Sequence, residues 1–558
     1  MPDIPAPSAA KPATPPVLRM PGLRHAPSRH DPQLRPLSEV IGGPAGRRRA
    51  VATDGEALRW GSRAVLALVA VFPLMLAVLI STPCRSNGWT SPQQFTHACY
   101  SDVPVALGDN AVPLPAGLTM VVDAVKAVAG LLAQGGDPAA ALRAGVDLLT
   151  GLVAVATVLT VLAATRLAGH RPWDAGMIAA SPVLVTASLV SFDLLAVAAM
   201  VVGLAVLTCR TAGGGPGQGR IQAGLRALVG AGVLLGLAAA IRPIAAVALL
   251  AMMVLAVRSG RWTQVGVTVA TAAGTWTLLN IPAFLVSPTD WWRYPRSLAA
   301  GEPGYGSVLV IPRLLAPATT PSAVDLPVPL AGIGVLILVA MLAARLMLPA
   351  ASRQRWLPVQ GTDFVAAAAL IVLAPAAVVL AGPWVLRTLM TDPPGATAAR
   401  WVAIVGGVLV VLGVTWLSFS MPRRPRLVVV ALWLMLGFWL VAPSLPVQAG
   451  VWVLPLLALA LPSWRVVLTW GLIEAGYAVA TWFYLYGLSV SDRGLPAPWY
   501  AVFLLVRVLA WVWVGTLAWR VSAHPGLDPV RVRSDESGAH RDDPAGGLFD
   551  EAGDIELA

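Results

Sequence analysis

Charge is scarce in this chain. Of its 558 residues only 12% are Asp, Glu, Lys or Arg, and 57% are hydrophobic. Soluble domains carry about 25% charged residues, so a soluble globule is excluded and an integral membrane protein is expected. Lysine occurs only as Lys11 and Lys126, so arginine supplies almost all the positive charge. That usage, with abundant Ala and Val, is the bias of a GC-rich genome and says nothing about chemistry. Cysteine is limited to Cys84, Cys99 and Cys209. The six histidines are scattered, and no pair has the spacing of zinc ligands. There is no G-x-x-x-x-G-K-[ST] phosphate loop, so no ATP motor is expected, and no G-x-S-x-G elbow. The stretch "GGGPGQG", 213–219, has no strand before it and reads as a flexible linker rather than a dinucleotide fingerprint. Neither a metal nor a cofactor is expected. No signal peptide with a small-residue cleavage site precedes the first apolar run.

Long apolar runs are what the chain has instead. They fall at 64–82, 141–165, 174–190, 193–209, 226–241, 243–257, 263–286, 327–349, 362–382, 401–419, 426–442, 447–462, 465–486 and 498–519. Each is of spanning or near-spanning length, and the shorter ones must tilt or be broken and buried in protein. The expected fold is an all-α polytopic membrane protein of about 12–14 transmembrane helices. Residues 1–60 read as a disordered basic N-terminus, 61–520 as the membrane domain, and 521–558 as a disordered acidic tail.

The net charge of +11 admits two explanations, nucleic acid or membrane topology. Topology accounts for it better. With the N-terminus inside, every inner connection is basic, from Arg166 and Arg171 through Arg258 and Arg261 to Arg423, Arg424, Arg426, Arg465 and Arg520. Both termini are then cytoplasmic, and no nucleic-acid partner is expected. The outer side receives a first loop at 83–140, the corners at 190–193 and Arg242, the loop 287–326 and the corner 443–447. Asp102, Asp193, Arg242, Asp290, Arg293, Arg296 and Glu302 all fall on it. Charges gathered on one face of an apolar bundle point to a site; taken singly, each is an ordinary loop charge.

Within the first outer loop, 118–134 has one apolar and one polar helical face and reads as a helix lying in the interface. Cys84 and Cys99 share this loop, where oxidation is allowed, and either form a bridge or remain two thiols. Asp102 in "THACYSDVP" is either a carboxylate for chemistry or the cap of a turn before Pro104. The run "SPTDWWRYPRSLAAGEPGYGS", 287–307, sets Trp291, Trp292 and Tyr294 among Asp290, Arg293, Arg296 and Glu302. Such aromatics are interface anchors or a sugar platform beside phosphate-gripping guanidinium groups.

Several segments carry a resemblance. "CYSDVP", "SFDLLAVAAMVVGLAVL", "GVLLGLAAAIRPIAAVALL", "NIPAFLVSPTDWWRY" and "VWVLPLLALALPSWR", in that order between about residues 40 and 520, resemble actinobacterial glycosyltransferase family 87 proteins, also known as the domain of unknown function 2029. The resemblance implies a GT-C type bundle and a polyprenyl-phosphate-sugar-dependent glycosyltransferase of the cell membrane, with mannose the expected sugar. It implies a lipid-linked donor, a cell-envelope glycolipid or glycan acceptor, and an active site on the extracytoplasmic face. Asp102 matches the expected general base, and Asp193 the aspartate of the family's "N-W-D-L-L". Arg242 stands where relatives often have a lysine, and "VQAGVWVLPL" keeps Gln448 and Trp452 of a longer motif. The first outer loop lacks the "E-Y-P" segment of relatives. On this reading Asp102 and Asp193 are catalytic. Arg242, Asp290, Trp291, Trp292, Arg293, Tyr294, Arg296, Glu302 and Gln448 bind substrate. The alternatives are a transporter or flippase of a lipid-linked precursor, whose intramembrane charges would be Glu474 and Arg507, and a non-catalytic envelope scaffold of the same fold.

The topology makes a direct prediction. Cysteines introduced as Gly217→Cys and Ala300→Cys react with impermeant maleimide from opposite sides of the membrane; reaction of both from outside overturns the assignment.

Overall fold

A computed structural model describes residues 56–108, 112–133, 137–169, 171–208, 218–300, 303–315, 396–490, 493–531 and 543–550. Among the described residues every regular element is helical. The long helices are α1 (Glu56–Asn87), α5 (Pro138–Leu167), α9 (Gln218–Ile241), α11 (Trp262–Val286), α14 (Ala396–Ser420), α17 (Trp464–Ser489) and α18 (Ala497–Ala523). These seven contain stretches long and apolar enough to cross a membrane. Four shorter apolar helical stretches also match expected runs: α8 (Asp193–Leu207), Pro243–Ser259 with α10 (Val247–Ser259), α15 (Leu427–Val441) and α16 (Ala449–Ala460). The remaining helices are short or peripheral: α2 (Gln93–Thr96), α3 (Val103–Leu107), α4 (Ala116–Leu132), α6 (Gly176–Ala179), α7 (Pro182–Ala187), α12 (Pro288–Ala300) and α13 (Ile311–Leu315). The expected runs 327–349 and 362–382 lie outside the described residues, as do Cys209 and Glu302.

One expected span is not a single helix. The stretch 174–190 divides into Pro172–Ala175, α6 and α7, and most of it is buried. Pro182 cannot continue a helix by accepting a place in its hydrogen-bond ladder, and the Ser181 hydroxyl accepts from Val183 N at 3.3 Å to begin a new one. Broken backbone of this kind is tolerated at membrane depth only where protein surrounds it.

The bundle is organised around α9, which packs between α8 and α11. Gly232 and Gly236 make the approach possible: a Cβ at either would run into the backbone of Thr268 or Ala272 on α11. The helices α8, α15 and α16 lie deepest. Every residue of α16 is buried, and so is α15 from Leu427 to Leu436.

The Glu474–Arg507 pair sits inside this core. Arg507 is wholly buried, lies within 2.9 Å of a Glu474 oxygen and stacks over the Tyr477 and Trp511 rings. It also donates to the carbonyls of Leu445 (2.7 Å) and Pro446 (2.9 Å), which precede α16. Glu474 accepts a further bond from Trp511 Nε1 at 2.5 Å.

The C-terminal segment differs from the expected disordered tail. Asp528 and Arg531 are buried, and 543–550 packs against the bundle with Phe549 fully enclosed. The charges that made the segment look soluble are matched inside the protein: Asp528 pairs with Arg426 at 2.9 Å, and Asp543 accepts from Leu427 N at 2.7 Å. Burial pushes the Asp543 carboxyl up to about 6, against the opposing pull of Arg426, Arg424 and Arg531.

Removing one member of a buried, hydrogen-bonded ion pair strands the other. Arg507→Leu is therefore expected to cost about 3–5 kcal/mol. Denaturant unfolding in detergent measures it; a loss below about 1 kcal/mol, the surface-pair level, excludes the burial described.

Candidate functional site

Asp102 is held in place by its backbone. Its amide donates to Val190 O at 2.8 Å, and the Ser101 hydroxyl donates to Leu189 O at 2.7 Å, so the loop is fastened to the turn that leads into α8. A disulfide between Cys84 and Cys99 joins the same loop to the end of α1. Asp102 occupies the position before α3, yet its side chain makes no capping bond. The carboxylate instead accepts from the Tyr100 hydroxyl at 2.8 Å and faces Gln448 Nε2 at 3.5 Å. The cap explanation is thereby set aside. Tyr100 is itself packed between Phe95 and Trp482 of α17.

Asp193 opens α8, where the helix dipole favours a negative charge. Its Oδ1 lies 2.6 Å from Arg242 Nε. The N–H is not aimed at the oxygen, so the contact is an ion pair rather than a directed hydrogen bond. Oδ2 accepts from Trp452 Nε1 at 3.0 Å. Arg242 directly follows α9 and remains partly exposed, its side chain 22% accessible. The Tyr294 hydroxyl of α12 lies close enough to feel its charge. Residues from 100 to 452 in sequence thus meet at one end of the bundle: Tyr100, Asp102, Asp193, Arg242, Tyr294, Gln448 and Trp452.

The electrostatics separate the two carboxylates. Arg242 neutralises Asp193 directly. Asp102 is pushed above the ordinary carboxylate range, chiefly by burial and further by the Asp193 charge; the Tyr100 hydrogen bond and the more distant Arg242 pull it back. Burial also raises the Tyr294 hydroxyl, with Arg242 opposing.

The rest of the 287–307 run has other contacts. Trp291 donates to Asn280 Oδ1 at 2.9 Å and packs edge-on against Phe284 and Trp292, which anchors α12 to α11. Asp290 accepts from the Ser287 hydroxyl at 2.7 Å and lies 3.7 Å from Arg293, with both side chains exposed. Trp292 and Arg296 are exposed on the same helix. Tyr294 is the residue of the run that reaches Arg242.

Two members of the cluster were not assigned to the site from the sequence. Tyr100 lies two residues before Asp102, and a phenol at that spacing beside an acid was the available signal. Trp452 was quoted only as part of a motif, since a tryptophan in an apolar helix reads as core. No family model, curated protein or solved structure matches the chain. The arrangement defines a helical membrane protein with one unpaired, hydrogen-bonded carboxylate beside a carboxylate–guanidinium pair.

The Tyr100 bond favours the ionised form of Asp102, so its removal must raise the carboxyl further. Tyr100→Phe is expected to move the infrared carbonyl band of protonated Asp102, identified by its loss in Asp102→Asn, to a higher titration midpoint. A midpoint that stays or falls excludes the Tyr100 contact.

Proposed function

We propose that this protein is a membrane glycosyltransferase of GT-C type that moves a sugar, with mannose the expected one, from a polyprenyl phosphate to a cell-envelope glycolipid or glycan on the outer face. The observation that carries the reading is the state of Asp102: a carboxylate with two hydrogen-bond partners, no capping duty and no cation in direct contact. Such a group is suited to accept a proton from an acceptor hydroxyl. The acceptor oxygen then bonds to the anomeric carbon, and the bond from that carbon to the phosphate oxygen breaks. The electron pair leaves with the polyprenyl phosphate. Arg242, partly exposed and paired with Asp193, is the cation positioned to favour the charge that develops there. The Asp193 partner keeps the guanidinium oriented, and Gln448 orients the Asp102 carboxylate.

The transporter reading rests on charge inside the membrane. Glu474 and Arg507 are such charges, but they bind each other and the carbonyls before α16, which supports a structural duty for them. A scaffold would have no use for a half-buried acid left without a counter-ion.

Loss of a positioned base typically costs 10²–10⁴-fold in rate. Asp102→Asn is expected to preserve expression, thermal stability and donor binding while transfer falls at least ~100-fold, the low end of that range. Turnover of a polyprenyl-phosphate sugar by purified protein is the measurement, and a stable Asn variant with near-normal transfer ends the assignment.

A further inference from the structure

The end of the bundle opposite Asp102 and Asp193 carries a second set of buried charges that the proposed reaction does not use. Arg424, Arg426, Asp528, Arg531 and Asp543 are each 2% exposed or less. Burying so many charges is costly unless each is matched, and one of them, Arg426, is matched on the end of α16. Arg426 donates to the carbonyls of Leu459 (3.0 Å) and Ala460 (2.6 Å), the last residues of α16. Its charge is balanced by Asp528, which offers both oxygens. The turn that leads into the far end of α16 is held by Arg507, which donates to the carbonyls of Leu445 and Pro446 with Glu474 as counter-charge. Between those two fastenings α16 carries Trp452, with Gln448 immediately before it, and these bind Asp193 and Asp102.

Residues 543–550 close over the Arg426 fastening. Asp543 caps the first amide of α15, one residue after Arg426. Arg424 donates to Phe549 O and sits over the Phe549 ring, while Arg531 donates to Arg424 O at 2.5 Å. Gly547 adopts φ +58°, and a Cβ there would lie 2.6 Å from Leu207 O, so the segment meets the last turn of α8 backbone to backbone. α8 begins at Asp193. The segment therefore touches the remote end of α8 directly and reaches that of α16 by way of Leu427 and its neighbour Arg426; the opposite ends of α8 and α16 bear the candidate site.

We propose that residues 525–531 and 543–550 form a cytoplasmic clamp on α16 and α8: docked, the clamp fixes the position in which Gln448 and Trp452 meet the two aspartates, and released, it lets α16 shift and the site loosen. The chemical class of the occupant is thus an acidic, Phe-bearing peptide, supplied by the chain itself. The consequence for sugar transfer rests on the function proposed above, whereas the mechanical coupling does not.

Hydrogen exchange followed by mass spectrometry tests the coupling without any sugar substrate. The full-length protein in nanodiscs is compared with a variant ending at residue 542, which keeps Asp528 and removes 543–550. The clamp predicts faster exchange, by at least about tenfold, at both ends of α16, including the distant residues 447–452. Faster exchange confined to 424–428 and 457–461 overturns the coupling, since it means that the segment only covers its seat. Exchange of 543–550 at free-chain rates in the full-length protein overturns the docking itself. If the shortened protein does not fold, Phe549→Ala is read by the same criteria. A transfer assay that finds no glycosyltransferase activity leaves these outcomes untouched, so the two ideas fail separately.

Discussion

A helix that stops inside a membrane protein leaves carbonyls with no water to satisfy them. α16 is 12 residues long and stops at both ends within the core. The solution at its C-terminal end is Arg426, which donates to the carbonyls of Leu459 and Ala460, while Arg507 donates to those of Leu445 and Pro446 in the turn that leads into the helix. A guanidinium buried alone is prohibitively costly, so each requires an acid, Glu474 or Asp528. The acids then dictate what else must be buried. Glu474 draws in Trp511, and Asp528 brings the C-terminal segment against the bundle. Much of the architecture follows from the need to end one helix in the wrong solvent.

For the candidate site the same rule sorts the charges by role. Arg242 is committed to Asp193, and the pair is nearly self-contained. Asp102 receives only neutral donors, so its proton affinity is set by burial rather than by a salt bridge. The proposed transfer reaction would benefit from that separation, because a base locked to a cation is a poor base and an unpartnered guanidinium is a poorly oriented one.

The fold was legible wherever apolar length decided it. The long runs became helices close to their expected limits, since hydrophobicity over about 20 residues leaves few alternatives. The 174–190 run failed as a span because Pro182 and Ser181 override hydropathy locally. The C-terminal segment failed because composition counts charges without knowing their partners: "DPVR" and "DDPAGGLFD" look solvated until Arg424 and Arg426 come from another part of the chain to meet them. The site was legible at Asp102, Asp193, Arg242 and Gln448, where a polar residue interrupts an apolar context. It was less legible in the 287–307 run, where Trp291 has an anchoring bond and Tyr294 is the residue that feels the Arg242 charge. Alternation of charge and ring in that stretch carries no record of which face of α12 turns inward.

The length of α8 has its own consequence. Fifteen residues make a rod of about 22 Å, against about 30 Å for a hydrocarbon layer. A rod that short cannot cross the layer alone. Protein must make up the rest of the path at both ends: the turn through Ser191 and Phe192 that leads into Asp193, and the 543–550 segment whose backbone meets Leu207.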